Sequence, residues 1–319
     1  MISVLGAGVA GLCAATAIRD RGLDVEVIVP EGSPPPVSRL AGGMLAPFCE
    51  GESAPETVVA RGQKAVDWWA SHVSGVEKRG TLMVAAARDG TELDRFSRAT
   101  CQHTWVSPAQ LEPALETRFT RGLFFEAESH MNPVEALADL RRSLVSRGVR
   151  FHGQAPSGQI VDCRGLAARG HLPDLRAVRG EMLKVHAPDV ELTRPIRLLH
   201  PRFPCYIVPH APGLYMIGAT MVESANAGGI SVRAVMELLS AAYTVHPGFA
   251  EAEVMETGAG LRPAFPDNIP AIRSLLGAIH LNGMYRHGFL MAPILAEELA
   301  QQLAGTSGQT QTRKHVHAC

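Results

Sequence analysis

The sequence predicts an α/β protein in which a doubly wound, largely parallel sheet carries an inserted domain built on an antiparallel sheet. An apolar N-terminal segment runs into a glycine-rich turn and then into a helix, and a second helix–strand unit lies near 133–163. Units of this kind place helices on the faces of a parallel sheet. Strand-like segments with no helix between them follow over 181–220, which favours an antiparallel sheet.

The N-terminal turn carries the strongest motif of the chain, a G-x-G-x-x-G pattern formed by Gly6, Gly8 and Gly11. Gly6 permits the tight turn, Gly8 lets the backbone approach a pyrophosphate, and Gly11 lets the following helix, predicted over 12–21, pack closely. Because this turn joins a strand to a helix, it predicts a dinucleotide site. A glycine-rich turn without a ligand is the alternative. The predicted contacts are Gly6, Gly8, Val9, Ala10 and Gly11.

The second strand, predicted over 23–29, departs from the usual dinucleotide pattern. An acidic residue is expected at its end, where it binds a ribose hydroxyl. The last strand residue is Val29, and the nearest acid is Glu31, which follows Pro30. We expect Glu31 to reach the ribose if the strand end bends, and the contact to be missing otherwise.

Periodicity and capping signals predict the remaining elements. Asn132 and Pro133 are expected to cap and start one helix, and Pro108, capped by Ser107, and Pro293 to start two others. Trp68 and Trp69 are expected to pack in the core. We expect helices over 56–73, 108–115, 133–148, 232–243 and 293–303, strands over 80–86, 159–163, 181–186, 205–209 and 213–220, and a disordered tail over 305–319.

Composition excludes several classes of function. The chain has 319 residues and a formal net charge of −1, so no overall charge attracts it to nucleic acid or to an anionic membrane. The apolar N-terminus lacks the basic region of a signal peptide. No other apolar run has the length of a membrane span. We therefore expect a soluble, cytoplasmic protein.

Cysteine and histidine patterns predict no metal site. The six cysteines include no C-x-x-C pair, so we expect reduced, mostly buried thiols. The thirteen histidines include no H-E-x-x-H motif, and their one dense group, His315 and His317 beside Cys319, is expected to be a frayed terminus. A Walker loop and a G-x-S-x-G motif are also missing, which leaves no basis for a nucleoside triphosphatase or a serine hydrolase.

Further motifs resemble those of one enzyme family over nearly the whole chain, up to about residue 304. The chain resembles the FAD-dependent amino-acid oxidases of the D-amino-acid oxidase type, and among them the glycine oxidases of thiamine biosynthesis. The motifs that match, in the order of the family, are Gly6/Gly8/Gly11, Ser38 with 41–47 (AGGMLAP), 178–183 (VRGEML), 206–209 (YIVP), 217–221 (IGATM), 259–263 (AGLRP) and 285–293 (YRHGFLMAP).

The resemblance implies a Rossmann-like FAD-binding domain with an inserted antiparallel-sheet substrate domain, and a non-covalent FAD between the two. It implies an FAD-binding domain made of 1–78, 129–178 and 258–304. The substrate domain is then made of 79–128 and 179–257.

The resemblance also implies the site residues. Arg262 matches an arginine that binds the substrate carboxylate, and Tyr206 matches a tyrosine that assists it. Met221 and Arg286 match residues of the same pocket. Besides the glycine turn and Glu31, the implied cofactor contacts are Ser38, Gly42, Gly43, Met44, Gly283, Arg286, His287, Gly288, Phe289 and Leu290.

The residues themselves support Arg262 independently of the resemblance. It lies between Leu261 and Pro263, in a segment predicted as the end of a strand that leads into a loop. A planar guanidinium holds a carboxylate through two parallel hydrogen bonds, which fixes its orientation. The alternative is an internal ion pair with an Asp or Glu.

The implied reaction is the oxidation of glycine, another small amine or a D-amino acid to an imine. O2 is then reduced to H2O2, and the imine is handed to a thiazole-forming partner. A D-amino-acid or sarcosine-type oxidase and a non-catalytic flavin-binding protein remain alternatives. Homo-oligomers are common among such oxidases, but the sequence has no interface signature.

Three departures from the family pattern concern the cofactor end of the site. They are the displaced acid Glu31, the short segment 151–159, where the family has a longer β-meander, and Cys163-Arg164-Gly165, where a turn of small residues is expected. All three affect FAD binding rather than substrate chemistry. A protein that binds its flavin weakly is therefore an alternative.

Overall fold

The computed structural model describes residues 1–200 and 204–314, with side chains described up to residue 305. Two large sheets organise this part of the chain. The helices are α1 (Val9–Asp20), α2 (Pro47–Glu50), α3 (Glu56–Gly62), α4 (Ala65–His72), α5 (Gly90–Ala99), α6 (Pro108–Leu111), α7 (Pro133–Ser146), α8 (Val232–Val245) and α9 (Gly288–Lys314), with 3-10 turns at Val37–Leu40, Ala87–Asp89, Pro113–Leu115, Gly165–Ala168 and Pro247–Glu251. The strands are β1 (Ile2–Leu5), β2 (Val25–Ile28), β3 (Met44–Leu45), β4 (Thr81–Ala85), β5 (Thr104–Val106), β6 (Gly122–Phe125), β7 (Ser129–His130), β8 (Arg150–His152), β9 (Gln159–Asp162), β10 (Arg176–His186), β11 (Ile196–Leu199), β12 (Cys205–Ala211), β13 (Leu214–Gly218), β14 (Val222–Glu223), β15 (Glu253–Ala264), β16 (Ala271–Leu275) and β17 (Ala278–Asn282).

The first sheet has six strands in the order β16-β17-β9-β1-β2-β8. β1 pairs in parallel with both β2 and β9, and β17 pairs in parallel with β9. Helices α1, α4, α7 and α9 contribute apolar side chains to the core that packs on this sheet. The chain runs from β1 to β2 on one side of β1 and returns through β9 on the other. The turn after β1 therefore lies at the topological switch point, where ligands bind in such sheets.

The second sheet has nine strands, in the order β14-β10-β13-β12-β11-β4-β6-β5, with β15 paired to β10. Its pairs are antiparallel, apart from the parallel pair β4–β11. Its members come from 81–125 and 176–264, and those of the first sheet from 2–28, 150–162 and 271–282. β15 runs without a break through the boundary predicted at residue 258. The division into two domains at these boundaries stays a prediction.

Several predicted elements differ in their bounds. α1 begins at Val9, inside the glycine motif, and the helix predicted over 56–73 is two helices, α3 and α4, interrupted at 63–64. The helix predicted over 108–115 ends at Leu111 and is followed by a 3-10 turn that Pro113 begins. Ser107 does not cap α6 with its side chain, whereas Asn132 accepts from the Val134 N–H and caps α7 as predicted.

The prediction for the last helix is wrong at both ends. α9 begins at Gly288, and Pro293 lies inside it. A proline removes the hydrogen bond to the carbonyl four residues earlier, which here belongs to Phe289. That carbonyl accepts instead from Trp69 Nε1 at 2.8 Å, so the proline leaves no buried acceptor unpaired. The helix continues to Lys314, so the irregular tail predicted from 305 does not begin there. Residues 315–319 of that tail lie outside the described residues.

The two tryptophans pack in the core, as predicted: Trp69 is fully buried and Trp68 nearly so. No helix among the described residues is both long enough and apolar enough to cross a membrane.

Candidate active site

The glycine turn after β1 has the close contacts that its sequence predicts. Gly6 has φ +95°, a left-handed conformation that favours glycine. A Cβ on Gly11 would lie 1.9 Å from the carbonyl oxygen of Gly6, so no larger residue fits between the turn and α1. The first N–H groups of a helix have no intrahelical acceptor, and no side chain of the N-cap residue satisfies them in α1.

Ser38 closes over this turn from the 3-10 segment that follows β2. Its Oγ accepts a hydrogen bond from the Val9 N–H at 3.1 Å. A Cβ on Gly8 would lie 3.3 Å from the same oxygen. The structure therefore places two predicted cofactor residues, Gly8 and Ser38, in contact at the N-terminus of α1.

A second helix N-terminus meets the first. Gly288 begins α9, and a Cβ on it would lie 3.2 Å from a methyl of Val9. Just before it, His287 is buried, and its Nδ1 makes no hydrogen bond to a described residue. Burial lowers the pKa of His287 to about 4, so the ring is neutral at neutral pH. His287 Nδ1 lies 3.6 Å from Glu50 Oε2. Two positive helix ends, a narrow glycine turn and a buried imidazole nitrogen without a hydrogen bond fit an anionic dinucleotide with polar ring atoms.

Other predicted cofactor residues contact protein groups. Gly42 faces Tyr206, whose ring edge would lie 2.7 Å from a Cβ on that glycine, and Gly43, with φ +78°, lies against the Met131 carbonyl. Met44 follows in β3, and the backbone of Gly283, with φ +76°, lies against the Phe265 ring. Phe289 and Leu290 are buried in the core, so only their backbone is available to a ligand.

The three departures from the family pattern have visible structural consequences. Glu31 is exposed in a turn beyond β2 and has no ion-pair or hydrogen-bond partner among the described side chains. The short connection from β8 to β9 is tied down by Ser157, which bonds to Ser3 and Glu26. Arg164 forms a two-bond pair with Asp162, at 3.0 and 2.7 Å, beside the turn at Gly6. A ribose contact by Glu31 stays a prediction.

Arg262 lies near the carboxyl end of β15, two residues before that strand ends at Ala264. Its Nη1 donates to the Thr220 carbonyl at 3.1 Å, and no carboxylate of the described chain lies within ion-pair distance of it. The nearby Glu181 is occupied by Arg179, Thr220 and the Ser231 N–H. The internal ion pair considered as an alternative is therefore not formed.

Gly180 makes room for this guanidinium. A Cβ at that position would lie 2.2 Å from Nη2 and 2.3 Å from Cζ of Arg262. Burial lowers the pKa of Arg262 from its ordinary value, while the nearby Tyr206 and Tyr285 act in the opposite direction. Glu50 also raises this pKa, but no carboxylate of the described residues forms an ion pair with Arg262.

Tyr206 lies in β12, and its ring is packed between two glycines. A Cβ at Gly42 or at Gly218 would lie 2.7 or 3.3 Å from the ring edge. Burial raises the pKa of its hydroxyl, so the phenol stays protonated and able to donate at neutral pH. Arg262 and Arg286 both lower this pKa, whereas Glu50 raises it.

Arg286 has a different environment from Arg262. Its guanidinium pairs with Glu50 at 2.5 Å, and this carboxylate raises the pKa of Arg286. Burial opposes ionisation of Glu50, but Arg286 and His287 outweigh it and lower the pKa of Glu50. Sequence reasoning missed Glu50, which lies just after the 41–47 motif at the end of α2.

Met221 is half exposed, at 53%. Its sulfur accepts from the Tyr285 hydroxyl at 2.6 Å. Tyr285 has φ +47°, and its N–H donates to the Pro263 carbonyl at 2.7 Å, which ties the turn before α9 to the end of β15. Tyr285 belongs to one of the matching motifs, but the sequence does not predict it as a site residue. Its positive φ is not detectable from the residue type.

The fold and this arrangement define an FAD-dependent oxidoreductase, and the comparisons with known proteins agree. The DAO family, FAD-dependent oxidoreductases, matches residues 1–302, and the chain belongs to this family. Its cofactor is therefore FAD.

The comparisons also found individual proteins that are similar to this chain. The chain is 49% identical to a Rhizobium etli protein named as a thiamine biosynthesis oxidoreductase, ThiO, over 98% of this chain and 99% of the relative. It is 34% identical to a glycine oxidase of Bacillus licheniformis, over 86% of this chain and 72% of that one. The structure of a glycine oxidase from Bacillus cereus superposes with a TM-score of 0.80 at 20% identity, covering 96% and 95% of the two chains.

Proposed function

We propose that this protein oxidises glycine to its imine with O2 as electron acceptor, forming H2O2, and supplies that imine for the thiazole part of thiamine. The names of the two relatives support this substrate and this pathway. The observation that carries the proposal is Arg262, a half-buried guanidinium without a carboxylate partner among the described residues, which lies beside Tyr206 and Tyr285.

The substrate carboxylate binds to Arg262. Desolvation around the guanidinium strengthens its attraction for an anion, and the planar fork fixes the plane of the carboxylate. Tyr206, protonated and packed between glycines, donates a further hydrogen bond to the same group. Together these residues orient the α-carbon of the substrate.

The Glu50–Arg286 pair sets the net charge of the pocket. Arg262, Arg286 and Glu50 together leave one positive charge for one substrate carboxylate. Arg197, which also lowers the pKa of Glu50, is paired with Glu52 at 3.9 Å. A diacid would leave a charge unpaired, and so would an amine without a carboxylate. The pocket charge therefore favours monocarboxylic amino acids.

The amine must lose a proton before it is oxidised, because only the neutral amine has a free lone pair. Arg262 and Arg286 disfavour the ammonium form through like-charge repulsion. Glu50 is held by Arg286 and has a lowered pKa, which makes it a poor base. The proton therefore goes to water, and kcat/KM rises with pH as the substrate ammonium deprotonates.

FAD, when bound, supplies the two-electron acceptor, and O2 regenerates it. The residues placed to hold it are the glycine turn, Ser38, and the start of α9 with His287. The roles of Glu31, Gly283 and the 42–44 turn in that binding belong to the proposal.

A substrate panel tests the proposal. Glycine, sarcosine and D-alanine are supplied to the FAD-saturated protein, and peroxide is measured for each. The proposal predicts the highest kcat/KM for glycine. Because one methylene changes discrimination by only about 1–3 kcal/mol, a highest value for D-alanine or sarcosine would reassign the substrate within the same mechanism. If none of the three substrates yields peroxide although FAD is bound, the protein is a flavin-binding protein without catalytic turnover.

A further inference from the structure

A second cluster of ligand-type side chains lies outside the substrate pocket, at the carboxyl end of the parallel sheet. Asp162 ends β9, His280 lies opposite it in β17, and His171 lies in the turn that follows the 3-10 helix Gly165–Ala168. One potential ligand atom from each lies within 4.8 Å of the other two. Only His171 is exposed.

His280 is the unusual member of this cluster. It is fully buried, and neither ring nitrogen makes a hydrogen bond to a described residue. Asp162 and the Leu275 backbone favour the protonated ring, but neither is in hydrogen-bonding geometry with it. A buried polar group without a partner costs about 1–3 kcal/mol, so both nitrogens need an explanation.

We propose that Asp162, His171 and His280 bind a divalent transition metal of the zinc class. His280 Nδ1 lies 3.7 Å from Asp162 Oδ2. With bonds of about 2.0–2.1 Å, ligand atoms of a tetrahedral zinc site lie about 3.3 Å apart. These two atoms are already close to that separation, and the exposed His171 side chain has room to complete the set.

The coordination positions left on Asp162 suit a metal. Arg164 donates three hydrogen bonds to Asp162: its backbone N–H and Nε donate to Oδ1, and its Nη2 donates to Oδ2. Since a carboxylate has about four such positions, Arg164 leaves about one, on Oδ2, for a metal. Its positive charge moderates the affinity without blocking the ligand.

This metal would connect two strand ends that support the cofactor turn. Cys163 follows Asp162, and its carbonyl lies 3.3 Å from a Cβ position on Gly6. Asn282 lies two residues after His280 and donates to the Gly165 carbonyl at 3.0 Å. Metal binding would hold β9 and β17 together beside this turn, and it would raise the temperature of thermal unfolding.

The test is a zinc titration of the FAD-saturated, full-length protein against a chromophoric chelator. The background carries His315→Gln, His317→Gln and Cys319→Ser, which remove the ligand-type residues of the C-terminal sequence. His280→Gln and His171→Gln are compared with His186→Gln, a matched change of an exposed histidine on β10. Cobalt replaces zinc in a parallel experiment, because its visible spectrum reports coordination by nitrogen and oxygen directly.

The proposal predicts one zinc ion per chain, a cobalt spectrum of tetrahedral type and a higher unfolding temperature with zinc. Loss of a second-shell partner weakens metal sites about 10–100-fold, so loss of a ligand should weaken this one by about 100-fold or more. His171→Gln is the decisive variant, since an exposed side chain is replaced without disturbing the core. Unchanged affinity in that variant, or no stoichiometric binding by the parent, would overturn the proposal.

Discussion

The end of β15 and the turn before α9 each bring an arginine to the same pocket, but in different electrostatic settings. Arg262 hydrogen-bonds to the Thr220 carbonyl, whereas Arg286 is paired with Glu50 at 2.5 Å. The resemblance assigned the substrate carboxylate to Arg262, and it assigned Arg286 to the same pocket and to a cofactor contact. The two arginines therefore differ in their partners. We propose that the guanidinium without a carboxylate partner is the one available to a substrate, and that the paired one sets the charge around it.

The largest expected effect follows from removing the cation that has no carboxylate partner. Arg262→Ala should lower kcat/KM for glycine by about 2–4 kcal/mol, roughly 30- to 1000-fold, because a charged two-bond contact is lost. FAD content should not change. Steady-state kinetics with peroxide detection measure the loss, with Arg233→Ala on the exposed face of α8 as the control. A change of only a few-fold would remove Arg262 from the carboxylate site.

A smaller effect is expected from moving Arg262 without removing its charge. Gly180→Ala places a methyl where the guanidinium now lies. The side chain must shift, and misplacement by about 1 Å can cost up to about 100-fold in rate. We expect kcat/KM to fall about 10- to 100-fold while the unfolding temperature stays close to that of the parent.

The control for this change is Gly170→Ala, which has open space around its Cβ position. It should leave both quantities unchanged. Equal activity of Gly180→Ala and Gly170→Ala would show that the position of Arg262 does not matter.

Double-mutant cycles sharpen the comparison between the two arginines. Glu50→Gln and Arg286→Gln each leave a largely buried charge without its partner, so the double variant should be less destabilised than the sum of the two. We expect a coupling free energy of about 1–3 kcal/mol, measured by denaturant unfolding. The cycle of Glu50→Gln with Arg262→Gln should show a smaller coupling free energy, because Glu50 raises the pKa of Arg262 but forms its ion pair with Arg286. Similar coupling in both cycles would contradict the assignment of Glu50 to Arg286.

The smallest expected effect is that of low pH on the Glu50–Arg286 pair, measured as a change in the free energy of unfolding. The pKa of Glu50 is lowered in the folded protein, so the unfolded chain binds its proton first. Its contribution to stability is complete above the unfolded pKa of about 4.3 and is lost as the pH falls through the lower folded value. Between about pH 5 and 3, the free energy of unfolding should fall more steeply for the parent and for Arg262→Gln than for Glu50→Gln. Parallel curves for all three would show that Glu50 has no such role.

Contiguous motifs were the part of the molecule that sequence predicted best. The glycine turn needs only neighbouring residues, and its conformation at Gly6 and the contact at Gly11 follow directly from the spacing. Asn132 capping α7 and the strand carrying Arg262 are local in the same sense. The strands that pair with the Arg262 strand, and the order of the strands in each sheet, depend on contacts between residues that are far apart in the sequence.

The pairing within the pocket could not be predicted because its members are far apart in sequence. Glu50 and Arg286 are separated by 236 positions, and nothing near Glu50 indicates a basic partner. The early start of α9 was missed because Pro293 normally marks a helix N-terminus, and the compensating bond from Trp69 to Phe289 spans 220 positions. The position of Tyr285 likewise depends on the hydrogen bond from its backbone N–H to the Pro263 carbonyl.

Anaerobic addition of glycine to the FAD-saturated protein tests the central claim most directly. The account predicts that the absorbance of the oxidised flavin is lost rapidly in the parent and, at the same glycine concentration, much more slowly in Arg262→Ala. It also predicts that Arg233→Ala behaves as the parent does. A parent whose spectrum does not change with glycine, or an Arg262→Ala variant reduced as fast as the parent, would contradict it.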